Sequence, residues 1–173
     1  MSTPDPSTLS HLTPDGQARM VDVGEKPITA RRATAEGFVR VSPELAACIR
    51  DNTLAKGSLL EVARLAGIQA AKRTDELIPL CHTLPLDAVE VRAELLGARV
   101  RITATARTQS RTGVEMEALT AVAVACLTVI DMGKAVDKGM VIEGLRVLEK
   151  TGGRSGTYVA PPAPAGTSKD GTA

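Results

Sequence analysis

The sequence predicts an α+β domain of the ferredoxin-like class, with helices packed on one face of an antiparallel sheet. Three observations favour this class. Four segments alternate apolar and polar residues as strands do, two longer segments follow the helical period, and their order is strand, helix, strand, strand, helix, strand. An additional short helix near the N-terminus completes the prediction.

The first strand is predicted at 31–41, where RRATAEGFVRV alternates. The additional helix follows over Pro43–Arg50, because Ser42 is a good N-cap and proline is favoured at the first helical position. A longer helix is predicted over 58–74, where the serine at its start and Glu61 have the spacing of a capping box.

The second half of the chain contains a hairpin, the main helix and the last strand. Strands at 89–95 and 100–108 flank Gly97 and are expected to pair with each other. The main helix is predicted over 113–134, and the last strand over 141–148.

The length of 173 residues fits one domain, which we place at 12–158. Residues 1–11 are rich in Ser, Thr and Pro, and residues 159–173 in Pro, Gly and Ala. Neither end contains an apolar set to bury, so both are expected to be disordered tails.

Composition excludes several classes of protein. The net charge is +1, and the chain has one Phe, one Tyr and no Trp, which argues against binding nucleic acid by charge or by base stacking. Three cysteines without a CxxC pair and only two histidines predict neither a disulfide framework nor a metal site. The sequence shows no secretory signal, and its longest apolar run is too short for a bilayer, so we expect a cytoplasmic protein without a membrane partner.

The main helix carries acids at its start and an Asp–Lys pair near its end. Glu117, Thr128 and Asp131 lie on one stripe at about 100° per residue, and Lys134 faces nearly the same way. The small side chains of this helix suggest a pocket or a close approach by another backbone. The alternative is an ordinary salt bridge at the helix end, with Glu115 and Glu117 complementing the helix dipole.

Two loops carry further candidate site residues. His82 lies between two prolines, so a rigid loop can direct its ring into a cleft; the alternative is a half-buried histidine bonded to backbone. The run KTGGRSG, residues 150–156, combines glycines, cations and hydroxyls suited to phosphate, or else is a mobile surface loop. Lys56, the pair Arg31–Arg32 and the pair Lys72–Arg73 are further cations that a polyphosphate ligand would need.

Four long runs together resemble the cyclic pyranopterin monophosphate synthase family of molybdenum cofactor biosynthesis (molybdenum cofactor biosynthesis protein C). They are MVDVGEKPIT, KGSLLEVARLAGIQAAKRTDELIPLCH, RTGVEMEALTAVAVACLTVIDMGKAVDKGM and VLEKTGGRSG. These runs cover about 20–156, nearly the whole predicted domain. Long, specific runs of this kind are much stronger than a short pattern match and favour functional roles for Asp131, Lys134 and His82.

The resemblance implies a lyase that converts (8S)-3',8-cyclo-7,8-dihydroguanosine 5'-triphosphate to cyclic pyranopterin monophosphate and releases pyrophosphate. It implies a ferredoxin-like homohexamer, a trimer of dimers with sites at subunit interfaces. Catalytic roles fall on Asp131, Lys134 and Lys56. Substrate-binding roles fall on Leu80, Cys81, His82, Glu115, Met116, Glu117 and Lys150. We add Arg31, Lys72, Arg73 and Arg154 as candidates for the triphosphate.

The chain departs from the common family pattern at Thr83, Gly133 and Arg154, where proline, cysteine and lysine are frequent. We expect the two lysines to act as acid and base, with Asp131 orienting Lys134 or acting as the base itself. No resident cofactor or metal is expected, although Mg²⁺ could accompany the triphosphate. The alternative function is a ligand-binding regulatory module without chemistry.

Overall fold

The computed structural model describes residue 13 and residues 15–162, so the predicted tails at 1–11 and beyond 162 lie outside the described residues. Five strands form one antiparallel sheet with the order β2-β3-β1-β4-β5. The elements in chain order are β1 Thr29–Arg40, α1 Pro43–Arg50, α2 Leu59–Ala71, α3 Thr74–Leu77, β2 Ala88–Leu96, β3 Arg99–Ser110, α4 Glu115–Gly133, β4 Val141–Thr151 and β5 Tyr158–Val159.

The sheet has the split β-α-β arrangement, because β3 lies between β1 and β2 and is antiparallel to both. Helices α2 and α4 pack on one face of the sheet. Alternate residues of the central strands point into that layer and are buried: Ala33, Ala35, Val39, Val100 and Ile102. The predicted ferredoxin-like α+β class is therefore confirmed.

Helices α2 and α4 approach each other closely because small residues line their contact. A Cβ atom added at Gly67 of α2 would lie 2.9 Å from the backbone oxygen of Ala121 in α4. By length and composition alone, α4 is the one helix in the described part of the chain that could cross a membrane. However, 56% of its apolar stretch is buried, which fits a core helix of this two-layer fold.

The additional helix is present as α1, after the first strand, and Ser42 caps it by accepting a hydrogen bond from the backbone nitrogen of Leu45 at 3.2 Å. The same serine's backbone nitrogen donates to Asp137 at 2.7 Å. Asp137 therefore fastens the chain after α4 to the start of α1.

Three details of the predicted elements are wrong. The predicted capping box does not form: the Ser58 side chain makes no capping hydrogen bond, and the Glu61 carboxylate pairs with Arg64 at 2.9 Å. The helix predicted over 58–74 ends at Ala71 and is followed by the short α3. The predicted tail boundary at 159 is too early, because Val159 belongs to β5 and pairs with Glu149.

Candidate active site

Three predicted catalytic residues meet at the C-terminal end of α4. Lys134 Nζ donates to Asp131 Oδ1 at 2.6 Å, and Lys56 Nζ donates to the backbone oxygen of Asp131 at 3.1 Å. Lys56 Nζ also lies 3.4 Å from Asp131 Oδ2. All three side chains are more than half exposed. We call Lys56, Asp131 and Lys134 the lysine–aspartate cluster.

Local structure explains why these side chains meet. Lys134 caps the end of α4, three residues after Asp131, so the two share a face of the helix. Lys56 comes from the turn before α2, where Gly57 adopts φ of 86°, a conformation that glycine adopts without a steric penalty. Hydrogen bonds from Lys134, and then from Lys56, lower the pKa of Asp131. The carboxylate therefore stays ionised and directs two ammonium donors toward one exposed point.

The salt-bridge alternative is correct as a description of the Asp131–Lys134 contact. It does not account for the whole arrangement, because Lys56 comes from a distant part of the sequence to the same carboxylate. Exposed ion pairs contribute little to stability, typically below about 1 kcal/mol. Three exposed charges brought together in this way are better explained by a ligand than by folding.

A second group of predicted residues surrounds a cavity of about 350 Å³ at the other end of α4, which we call the histidine cavity. His82 lies in its wall, and its Nε2 is 2.9 Å from the backbone oxygen of Val21. The ring is thus bonded to backbone, as the alternative for this residue predicts, and also lines the cavity. The remaining lining residues are Val21, Val23, Lys26, Leu80, Cys81, Leu84, Thr112, Gly113, Glu115, Met116 and Glu117.

Glu117 gives the histidine cavity a group that titrates near neutral pH. The residue is 4% exposed, and this burial is the main cause that raises its pKa to about 7. A carboxyl group with such a pKa can donate or accept a proton under physiological conditions. Burial, together with the charges of Glu117 and Asp75, raises the pKa of Cys81, so that side chain remains a neutral thiol.

A larger cavity of about 640 Å³ lies beside the histidine cavity, and we call it the basic cavity. Six cations line it: Lys26, Arg31, Arg32, Arg111, Lys150 and Arg154. Lys150 Nζ lies 3.6 Å from Glu115 Oε1 and donates to the hydroxyl of Ser155. The excess of positive charge suits a polyphosphate.

The glycine-rich loop forms one wall of the basic cavity because it lies directly against β1. A Cβ atom added at Gly153 would clash with Arg31 Nη1, and one added at Gly152 would clash with the backbone oxygen of Ala30. Both glycines have positive φ, 96° at Gly152 and 78° at Gly153. The loop therefore requires glycine at both positions, and the guanidinium of Arg31 lies against its backbone.

The two cavities adjoin, because Lys26, Thr112, Gly113 and Glu115 line both. Lys26 and Arg111 are candidate binding residues that the sequence analysis missed. Lys26 lies in the run MVDVGEKPIT, which carries the family resemblance, so its position in that run was the available signal.

Lys72 and Arg73 are exposed and line neither cavity, so a single chain does not bring these two candidates to the basic cavity. Thr83, the first departure from the family pattern, donates its hydroxyl proton to Asp75 and so ties the His82 loop to α3. Gly133, the second departure, ends α4 beside Leu45, whose Cδ2 would lie 2.7 Å from an added Cβ. Within the described residues, no group of three or more His, Cys, Asp or Glu side chains could hold a metal ion.

Together, the fold and the site define a ferredoxin-like α+β protein with a cavity lined by cations beside a smaller cavity that contains His82 and Glu117. The model of the MoaC family matches residues 20–153, and the chain belongs to this family.

Named relatives cover most of the chain. A protein named cyclic pyranopterin monophosphate synthase from Methylobacterium sp. (strain 4-46) is 58% identical over 159 residues, which are 91% of this chain and 99% of that protein. A protein of the same name from Thermomicrobium roseum is 60% identical over 152 residues, 87% of this chain and 92% of that protein. A third, from Parvibaculum lavamentivorans, is 54% identical over 154 residues, with 88% and 96% covered.

Proposed function

We propose that this protein is a cyclic pyranopterin monophosphate synthase of molybdenum cofactor biosynthesis. It converts (8S)-3',8-cyclo-7,8-dihydroguanosine 5'-triphosphate to cyclic pyranopterin monophosphate and releases pyrophosphate. Family membership and the names of the relatives support this reaction. The structural observation that carries it is the pair of adjoining cavities, one basic and one containing His82 and Glu117.

The triphosphate binds in the basic cavity and the purine-derived ring in the histidine cavity. Six cations offset the charge of the triphosphate and of the pyrophosphate that leaves. The histidine cavity, at about 350 Å³, falls within the range of small-molecule sites. His82 and Glu117 bond the ring edge, and Lys26 and Glu115 lie where the two parts of the substrate join.

Proton transfer is assigned to the lysine–aspartate cluster. Opening and rebuilding the ring requires several proton transfers, and attack of a sugar oxygen on the α-phosphorus requires another. Lys134 and Lys56 act as acid and base, one as the ammonium and the other as the neutral amine, while the ionised Asp131 holds both side-chain nitrogens beside the reacting atoms. The protein needs no resident cofactor, and any Mg²⁺ enters with the triphosphate as part of the substrate.

The active enzyme is a homo-oligomer, since the cluster and the cavities lie at opposite ends of α4. Met116, Leu127, Asp131 and Lys134 lie within about 60° of one another around the helix, at 100° per residue, and all four are exposed. Two copies that pair antiparallel across this face would bring the cluster of one to the cavities of the other. We propose such a dimer as the unit that completes the site, and a hexamer of three dimers as the full assembly.

We place the enzyme in the cytoplasm. All three cysteines, Cys48, Cys81 and Cys126, are free, as is usual in a reducing compartment. Burial alone raises the pKa of Cys126 to about 12, so this thiol is chemically inert.

The deciding experiment is incubation of the purified protein with the cyclised nucleotide, followed by mass spectrometry and a pyrophosphate assay. We expect pyrophosphate and cyclic pyranopterin monophosphate in equal amounts. A regulatory module would bind the nucleotide and return it unchanged. The Lys134→Ala variant, which retains both cavities, controls for activity from a contaminating enzyme.

A further inference from the structure

A buried carboxylate lies on the face of the sheet opposite the helices. Glu36 of β1 is 5% exposed, although none of the helices in the described part of the chain covers this side. Arg101 Nη2 donates to its Oε2 at 2.9 Å, while Arg146 donates to Oε1 from Nε at 3.1 Å and from Nη2 at 2.9 Å. The two guanidinium groups therefore cover the carboxylate and satisfy both of its oxygens.

Arg146 has a further contact that reaches the C-terminal segment. Its Nη1 donates to the backbone oxygen of Pro161 at 3.0 Å. One planar guanidinium thus joins β1, β4 and the residues that follow β5. Arginine can do this because its donors form a rigid fork, whereas lysine carries a single nitrogen.

The segment held in this way is the part of the chain that follows the glycine-rich loop. The strand β5 pairs Tyr158 with Lys150 and Val159 with Glu149, and the backbone nitrogen of Ala160 donates to Leu148 at 2.7 Å. Lys150 is consequently paired on both sides, with Ala33 of β1 and with Tyr158 of β5. Without β5, the end of β4 that carries Lys150 would be a free edge.

We infer that Arg146 is a positioning residue for phosphate binding. Through Glu36 and Pro161 it holds β5 in place, and β5 fixes Lys150 and closes the loop over 152–156. Arg146 lines neither the basic cavity nor the histidine cavity, so it acts through the loop and not on the substrate. This inference rests on the proposed function, which assigns the triphosphate to the basic cavity.

The test uses Arg146→Lys in the full-length protein, with inorganic pyrophosphate as the probe. Lysine keeps a positive charge beside Glu36, so the fold should survive, but it cannot also bond Pro161. We expect the Kd for pyrophosphate to rise about tenfold and KM for the nucleotide to rise more than kcat falls. Arg40→Lys is the matched control, because Arg40 pairs with Glu143 on the same face at 3.0 Å and makes no contact with β5.

A second measurement separates this role from general stability. Hydrogen exchange of the Ala160 amide should be faster in Arg146→Lys than in the wild type and unchanged in Arg40→Lys.

The outcomes distinguish the inference from the proposed function. If the wild-type protein binds pyrophosphate and Arg146→Lys binds it within twofold, the inference is overturned and the proposed function stands. The inference is also overturned, and the proposed function stands, if the Ala160 amide hydrogen exchanges at the wild-type rate in Arg146→Lys. If the wild-type protein does not bind pyrophosphate at all, the phosphate site of the proposed function fails, and the positioning role fails with it.

Discussion

Glu117 and Asp131 lie on the same helix, α4, but fourteen residues apart in sequence. At 1.5 Å per residue, their backbones are about 21 Å apart along the axis. Glu117 belongs to the histidine cavity and Asp131 to the lysine–aspartate cluster. A substrate shorter than this distance cannot contact both residues in a single chain, and this separation is the reason for proposing that a second copy completes the site.

Mixing two inactive variants should restore activity if the site is shared between subunits. His82→Ala damages the histidine cavity, and Asp131→Asn damages the lysine–aspartate cluster. When equal amounts of the two variants are dissociated and reassembled together, the mixture should recover about a quarter of the wild-type rate of pyrophosphate release. Half of the dimers are then mixed, and each mixed dimer has one intact site.

The matched control mixes Asp131→Asn with Lys134→Ala. Both changes damage the cluster half, so every site in a mixed dimer remains defective and no recovery is expected. If the first mixture stays inactive although native mass spectrometry shows mixed oligomers, the site belongs to one chain.

Removal of the charged groups in the cluster should abolish turnover and spare the fold. We expect Lys134→Ala and Asp131→Asn each to lower kcat at least 100-fold, the usual range for a lost acid or base. The double variant should be hardly slower than either single one, because the two act as a unit. Thermal unfolding should change little, since both side chains are about 60% exposed.

Lys138→Ala is the control for this series, because Lys138 is an exposed lysine close by in sequence that lies outside the cluster. It should retain wild-type kcat. Near-normal turnover in Lys134→Ala would return Asp131 and Lys134 to the role of a simple salt bridge at the end of a helix.

The sequence was sufficient to predict the fold class because each element has its own local signal. Alternation marks β3, and the small apolar residues of α4 follow the helical period. The sequence did not show which partner a side chain would bond. Glu61 has the spacing of a capping box, but its carboxylate pairs with Arg64 on the next turn. The edge strand β5 was also missed, because two residues give no periodicity and its partner is β4.

Many of the predicted site residues line the two cavities or form the lysine–aspartate cluster, but the sequence did not predict how they are arranged. The turn that carries Lys56 meets Asp131, which lies 75 positions later, and no spacing rule links them. Glu117 and Asp131 do lie on one helix, but its length separates the histidine cavity from the lysine–aspartate cluster. Arg146 carried no signal, since its function depends on a buried glutamate that pairs with it only in the folded sheet.

Lys150→Ala should weaken substrate binding more than it slows chemistry. Lys150 lies in the basic cavity, on the strand that leads into the glycine-rich loop, and its charge is assigned to phosphate. We expect KM for the nucleotide and the Kd for pyrophosphate to rise about 10- to 100-fold, as for the loss of one charged partner, with a smaller change in kcat. Isothermal titration with pyrophosphate and steady-state kinetics give the two numbers separately.

Lys72→Ala is the informative comparison, because Lys72 was also predicted to bind the triphosphate but lies outside both cavities. It should keep both values within about twofold of wild type, the scale of ordinary surface substitutions. If Lys72→Ala weakened pyrophosphate binding as much as Lys150→Ala, a neighbouring subunit would have to bring Lys72 to the phosphate. Unchanged pyrophosphate binding in Lys150→Ala would contradict the assignment of the triphosphate to the basic cavity.

The buried carboxyl group of Glu117 should make the stability of the protein depend on pH. Its pKa rises from 4.5 to about 7 on folding, mainly because burial disfavours the charged form. The folded state therefore binds this proton more tightly than the unfolded chain does. The resulting stabilisation is fully present below pH 4.5 and is lost as the pH rises to about 7. At 1.36 kcal/mol per pKa unit, the loss is on the order of 3 kcal/mol.

Glu117→Gln removes the titrating group while keeping the shape of the side chain. Urea unfolding at pH 5 and pH 8 should show a smaller difference in stability for this variant than for the wild type. Glu76→Gln, which alters an exposed carboxylate in α3, should keep the wild-type difference. If Glu117→Gln and the wild type lose equal stability between the two pH values, Glu117 is ionised throughout and cannot supply a proton to the substrate ring near neutral pH.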